Sequence, residues 1–239
     1  MNFLEVEQLL QSLPKLKFLV VGDLILDKYV WGAAERISPE APIPVVKVAS
    51  EEFRLGGAGN VVNNLLALGC EVRVASVVGT DSSGDELKQR LIEQGVSTAG
   101  VQSAPERTTT CKTRILANNQ QMVRLDQEIC TAIDPAQEDL LLDFIRKVLP
   151  AVNVVLLSDY LKGVLTDRLL AEIIHLSRQA SCPVLVDPKG DNFSRYKGAS
   201  LLTPNQKEAE AAAGNKIHSP ESLLAAGTYL HHELELESL

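Results

Sequence analysis

The chain has 239 residues, 45% of them hydrophobic and 23% charged, with 23 basic against 31 acidic side chains for a formal net charge of −8. Ordinary apolar content, with 15 Gly and 11 Pro scattered without a period, excludes collagen-like, coiled-coil and disordered classes. No apolar run nears the roughly 20 residues of a membrane-spanning helix, and an acidic chain without a basic block is poorly suited to nucleic acid.

The first residues lack the basic start and apolar block of a secretory signal, so a cytoplasmic location is expected. An amphipathic helix is predicted over residues 3–13, stopped by Pro14. The apolar run at residues 17–22, bounded by Gly22, reads as a buried strand. After Gly56-Gly57 a helix carrying Val61, Val62, Leu65, Leu66 and Leu68 runs to Gly69, and a strand follows at residues 71–78. Helices are predicted over 82–94, 135–149 and 167–179, with strands at 153–158 and 183–186. Asp134-Pro135 and Thr203-Pro204 each set a capping side chain before a proline suited to the first helical position. Residues 231–239 read as the acidic end of a last helix. Alternating strands and helices predict an α/β fold of three layers, its mostly parallel sheet covered by helices on both faces.

Two stretches break the alternation. Residues 41–48 and 108–116, the second followed by Asn118-Asn119 and residues 122–125, predict β strands and a hairpin. Inserted at about 29–50 and 107–126, they form a small second sheet able to lid a crevice or pair with a copy of itself. Cys70, Cys111, Cys130 and Cys182 lie too far apart for a Cys-x-x-Cys pair and are expected to be buried free thiols.

The familiar short motifs fail. Gly57-Ala-Gly59-Asn-Val-Val62 lacks the last glycine of a dinucleotide fingerprint, which disfavours a Rossmann-type module, and no Walker phosphate loop, His-Glu-x-x-His or Gly-x-Ser-x-Gly occurs. His175 reads as a surface helix residue. A constellation at strand ends remains. Asp23 and Asp27 follow the first strand, Gly56-Gly57 allows close backbone approach, and Asn60 stands in the first turn of the next helix. A carboxylate and an amide suit sugar hydroxyls, which both donate and accept; turn and cap roles are the alternative. Asp159 and Asp187-Pro188-Lys189 end later strands alike. Asn205 and Glu208, at i and i+3 of a helix start, suit a nucleotide phosphate and, through water, its Mg²⁺. The alternative there is a solvated first turn in which Thr203 and Gln206 form a capping box.

Gly-Gly-x-x-Asn at 56–60 and Asn-x-x-Glu at 205–208 resemble the ribokinase-like (carbohydrate kinase) superfamily. More narrowly, Val21-Gly-Asp-Leu-Ile-Leu-Asp-Lys-Tyr29, Glu35-Arg-Ile-Ser-Pro-Glu-Ala-Pro-Ile-Pro-Val45, Leu157-Ser-Asp-Tyr-Leu-Lys-Gly163, Asp187-Pro-Lys189 and Leu201-Leu-Thr-Pro-Asn-Gln-Lys-Glu208 are similar to the kinase domains of ADP-heptose synthesis enzymes. The resemblance implies transfer of the ATP γ-phosphate to the anomeric hydroxyl of D-glycero-β-D-manno-heptose 7-phosphate, on the route to lipopolysaccharide core sugar. It implies that Asp27 and Asn60 hold sugar hydroxyls over a floor of Gly56 and Gly57, with Asp159 and Lys189 completing the substrate set. Asn205 and Glu208 then serve ATP and Mg²⁺, Glu208 reaching the metal through water. Lys189, Arg107, Lys112, Arg114 and Arg124 are the cations placed to take the 7-phosphate. A homodimer through the lid is also implied.

The superfamily's general base lies in a Gly-Ala-Gly-Asp segment whose amides form an anion hole, and this sequence has none; Asp85, in an early helix start, is no substitute. Losing a base costs about 10²- to 10⁴-fold and losing an oxyanion donor about 10²- to 10³-fold. The expectation is therefore an incomplete kinase domain over residues 1–239, without its last nucleotide-binding part or a nucleotidyltransferase domain, and with negligible turnover by itself. The alternative is a non-catalytic fragment that binds sugar phosphate or dimerises through its lid.

Overall fold

The computed structural model describes residues 3–239. Helix α1 (Phe3–Ser12) leads through a 3₁₀ turn to β1 (Lys17–Gly22), the centre of the main sheet. Asp23 alone separates β1 from β2 (Leu24–Ile37), which pairs with β3 (Pro44–Gly57) before α2 (Ala58–Ala67), β4 (Glu71–Gly79) and α3 (Ser82–Glu93). A short strand β5 (Val101–Ala104) precedes β6 (Cys111–Ala117) and β7 (Gln120–Gln127). Then come α4 (Pro135–Val148), β8 (Val154–Ser158), α5 (Asp167–Gln179), β9 (Val184–Asp187), β10 (Leu201–Leu202), α6 (Gln206–Ala213) and α7 (Pro220–Glu233).

The main sheet has the order β10-β9-β8-β1-β4-β5, every pair parallel. Alternation along β1 divides the core in two. Leu19 and Val21 pack with Leu141, Ile145, Leu170 and Ile173 of α4 and α5, while Phe18 and Val20 pack with Val62, Leu65, Leu87 and Leu91 of α2 and α3. A strand buried on both faces has to be apolar throughout, which is why residues 17–22 carry no alternation to read. The three-layer α/β architecture is as the sequence predicts. Because the strands are parallel, Gly22, Gly79, Ser158, Asp187 and Leu202 all end at one edge, where open sheets bind ligands.

The second sheet, of order β3-β2-β6-β7, stands on that edge. Asn118 and Asn119 both take left-handed φ (52° and 63°) in the predicted β6–β7 hairpin, as a two-residue turn requires. The lid is deeper than the inserts suggest. Strand β2 starts at Leu24, so Asp27 lies on a lid strand rather than in a loop at the main sheet's edge. Two register shifts, at Trp31/Gly32 and Ala34/Arg36, interrupt its pairing with β3.

Three local expectations are corrected. Asn205, not Thr203, caps α6, since the Asn205 carboxamide and the Glu208 carboxylate exchange bonds with each other's backbone N–H. By contrast Asp134 does cap α4, with Gln137 returning the bond. Cys70, Cys111 and Cys182 are buried, but Cys130 is exposed on the loop after β7. After α7 ends, Leu234 and Leu236 turn into the core and Ser238 bridges Leu201 in parallel, so residues 231–239 do not simply prolong a helix.

Candidate active site

The two acids after β1 have different fates. Asp23 is 1% exposed, and its carboxylate accepts the backbone N–H groups of Tyr160 (2.9 Å), Lys162 (3.0 Å) and Val164 (3.1 Å). Burial raises its pKa although these bonds oppose the rise. Asp23 thus fixes the loop after β8 and is closed to a ligand.

Asp27 lies on the other side of the lid's root. Leu24, Leu26 and Leu55 turn into the α2–α3 core, which leaves the alternate residues Ile25, Asp27, Tyr29 and Trp31 on the opposite face of β2. Gly56 is required beside it, because a Cβ there would lie 2.3 Å from Asp27 Oδ2. Gly57 takes φ 56° as the α2 N-cap, and a Cβ on it would lie 2.4 Å from the Asp23 carbonyl oxygen. One turn on, Asn60 is exposed. Asp27, Gly56, Gly57 and Asn60 therefore gather where the lid joins α2.

The rest of that lid face is strongly charged. The Arg114 guanidinium donates to Asp27 Oδ1 at 2.5 Å. Tyr29 is flanked by the guanidinium groups of Arg54 (4.7 Å) and Arg114 (5.2 Å), and stacks near Trp31. Register sets Lys112 beside Asp27 and Arg124 beside Arg114. Arg54 pairs with Glu52 at 2.7 Å and Arg124 with Asp126 at 2.8 Å.

Directly after β8, Asp159 is 3% exposed and accepts from Leu161 N–H (2.8 Å), the Tyr196 hydroxyl (2.8 Å) and Arg195 (3.3 Å). It is an internal acceptor, which corrects its reading as a substrate contact: a carboxylate at a strand end also answers orphaned loop donors. Arg107 is likewise inward, donating to the carbonyls of Thr131, Ile129 and Lys162, and leaves the set of phosphate cations. Lys189 is half exposed and pairs with Glu208 Oε1 at 2.8 Å. With Gly190, Asp191, Asn205 and Lys207 they line an open depression of about 460 Å³. Burial, then the neighbouring Glu208, raises the pKa of Asp187 beside it.

One residue ties the two sides together. Tyr160, half-buried just past β8, has its hydroxyl pKa raised first by burial and then by the charges of Asp187, Asp27 and Glu208, against which Lys189 works. Charges from the lid and from the α6 side thus reach the same phenol. Sequence reading quoted Tyr160 inside its motif without giving it a role; its place directly after a strand-end Asp was the available signal. Among the described residues no group of three or more His, Cys, Asp or Glu side chains is arranged to hold a metal directly, and no helix is long and apolar enough to cross a membrane.

A family model described as pfkB family carbohydrate kinase matches residues 15–237. The chain belongs to this family. The family is one of carbohydrate kinases, which act on small-molecule sugars. It is 52% identical to the bifunctional protein HldE of Geobacter sulfurreducens over 234 residues, covering 98% of this chain and 48% of that protein. The chain spans about half the length of the curated relatives it matches. Among solved structures, phosphofructokinase-2 of Escherichia coli in a tetrameric inhibited form superposes with TM-score 0.69 at 18% identity, covering 92% of this chain and 71% of that one. Ribokinase of Arabidopsis thaliana, complexed with ribose and ATP, gives 0.66 at 18%, covering 91% and 69%. At such identities the likeness establishes a ribokinase-like fold.

Proposed function

We propose that this chain is the sugar-kinase part of an ADP-heptose synthesis enzyme, binding D-glycero-β-D-manno-heptose 7-phosphate against the lid and ATP·Mg²⁺ against α6. Residues 1–239 then contribute one kinase domain with a lid inserted. The observation that carries this reading is geometric: the root of the lid, with Asp27 over Gly56, and the depression lined by Lys189, Asn205 and Glu208 both stand at the carboxyl edge of the parallel sheet. It supports a single crevice with Asp27 on one wall and Lys189 and Glu208 on the other.

In this reading Asp27 and Asn60 hold sugar hydroxyls over Gly56 and Gly57, where the absence of side chains brings the ring near the backbone. Lys189 neutralises phosphate charge. The Asn205 amide N–H₂, without a partner among the described residues, meets a nucleotide phosphate at the start of α6. Glu208, already oriented by its capping bond, reaches Mg²⁺ through water. The anomeric oxygen attacks the γ-phosphorus, the bond from that phosphorus to the β–γ bridging oxygen breaks, and ADP departs; positioning and charge stabilisation do most of the work. The hydroxyl proton goes to the family's base, whose Gly-Ala-Gly-Asp segment does not occur in these 239 residues, so binding is the decisive measurement. A homodimer through the lid is supported by β7, exposed along its whole length, and by exposed Met122, Val123 and Leu125 on it.

Calorimetric titration of the chain with heptose 7-phosphate tests the reading. Asp27→Ala is expected to weaken binding at least ~100-fold with the folded spectrum intact, since both hydroxyl acceptance and local charge are lost. Affinity unchanged by the substitution removes Asp27 from the site.

A further inference from the structure

Cys130 stands apart from the other cysteines. Cys70, Cys111 and Cys182 are buried, while Cys130 is exposed on the loop after β7 and borders a cavity of about 320 Å³ that Leu161, Gly163, Asp167 and Arg195 also line. A small oxidant in solution therefore reaches this thiol and not the others. The sulfur also has an amine in contact, since Lys162 Nζ lies 3.6 Å from Cys130 Sγ. Glu128 Oε1 is 2.8 Å from that nitrogen and 3.8 Å from the sulfur, and the other oxygen of Glu128 is buried with no partner among the described residues. One carboxylate can thus take a proton from either group.

Two surface side chains that meet only at their tips are free to part. Here the main chain beneath both is gripped by one inward guanidinium. Arg107 donates to the carbonyls of Ile129 and Thr131, on either side of Cys130, and to the carbonyl of Lys162 itself. The Lys162 N–H is held in turn by Asp23 at 3.0 Å. Groups fixed at contact distance react with each other as if at high concentration.

We propose that Cys130 and Lys162 form a modification site, at which hydrogen peroxide joins the two side chains by a covalent S–N bond. The Cys130 thiolate attacks a peroxide oxygen, so that the S–O bond forms, the O–O bond breaks and water leaves; sulfur gives up two electrons and the peroxide takes them. The Lys162 amine, its extra proton passed to Glu128, then attacks that sulfur. The S–N bond forms, the S–O bond breaks, and the departing hydroxide takes a proton to become a second water. One thiol, one ammonium ion and one hydrogen peroxide thus give a sulfenamide, two waters and a proton. The bridge ties the segment leaving the lid to the loop that Asp23 anchors, and an added dithiol reverses it. Without the amine, the sulfenic acid goes on to the sulfinic state, which a dithiol does not reverse.

The experiment treats the full chain, unaltered or carrying Lys162→Arg, with one equivalent of hydrogen peroxide and follows it by intact mass and by trypsin digestion without reductant. The unaltered chain is expected to lose ~2 Da, with residues 125–146 joined to residues 148–168 because bridged Lys162 resists trypsin; dithiothreitol restores the separate peptides. K162R keeps a cation beside Glu128 but offers a guanidinium that stays protonated, so no bridge forms and Cys130 gains ~32 Da under further peroxide. Cleavage at Lys162 with a sulfinic Cys130 in the unaltered chain overturns the proposal, as does a disulfide joining Cys130 of two copies. The joined peptide is read in the unaltered chain, so the outcome stands even should K162R fail to fold.

Discussion

The end of β1 and the root of the second sheet each present an acid, four residues apart in sequence, and the two are partnered in opposite ways. Asp23 is surrounded by backbone N–H groups that have nowhere else to go. Asp27 accepts from a single guanidinium, on a neighbouring strand. A fixed set of donors makes a carboxylate part of the architecture, whereas a single exchangeable partner leaves it available for chemistry. Sequence position alone assigns both to the same strand end.

The contrast breaks most directly on stability. Asp23→Ala strands three buried donors at about 1–3 kcal/mol each, so a loss of ~3–5 kcal/mol is expected in urea denaturation, against at most ~1 kcal/mol for Asp27→Ala. Comparable losses for the two would erase the distinction. The glycines beside these acids sharpen it. Gly57→Ala forces a left-handed φ on alanine and drives a Cβ into the Asp23 carbonyl, at an expected cost of ~2–3 kcal/mol in thermal unfolding. Gly56→Ala, whose Cβ meets the Asp27 carboxylate and lies 3.3 Å from the Ile25 carbonyl oxygen, is expected to cost ~1 kcal/mol yet weaken heptose 7-phosphate at least ~10-fold. Full affinity in G56A would show that the Asp27 carboxylate need not lie over that glycine.

The smallest effect concerns an acid outside the crevice. Glu210 is held down to about 2, from an ordinary 4.5, by Lys216, by the Ile217 N–H and by Gln206. A lowered folded-state pKa stabilises above the unfolded value and is lost as pH falls through the folded one. Denaturation midpoints of Glu210→Gln and the unaltered chain should therefore differ at pH 5 and converge towards pH 2. A gap that persists at pH 2 would mean that Glu210 acts through shape rather than charge.

Much of the fold is legible because its signals are local. Gly-bounded apolar runs, the Asp134 cap and the Asn118-Asn119 turn each state a backbone requirement within a few residues. What escapes is decided at a distance. Thr203 and Asn205 are both acceptable caps, each with a residue three positions on able to return the bond, and the choice falls to Asn205 because the Thr203 N–H and hydroxyl are drawn to the Val186 carbonyl on β9. Asp159 and Asp27 look equivalent until Tyr196, 37 residues on, claims the first. Strand β5 is four residues long, too short to show a period. The Asp27–Arg114 pair spans 87 residues and exists only because β6 lies parallel to β2.

The two bulges in the β2–β3 ladder have a mechanical consequence. Bulges concentrate bending in a ribbon, and these fall at Trp31/Gly32 and Ala34/Arg36, beyond Asp27 and Tyr29. The inner half, with its regular ladder rooted in the core, acts as a stiff cantilever, while flexure is confined to the tip. Bending at those two points would move the outer end of the ribbon and leave the spacing of Asp27 and Tyr29 at its base unchanged.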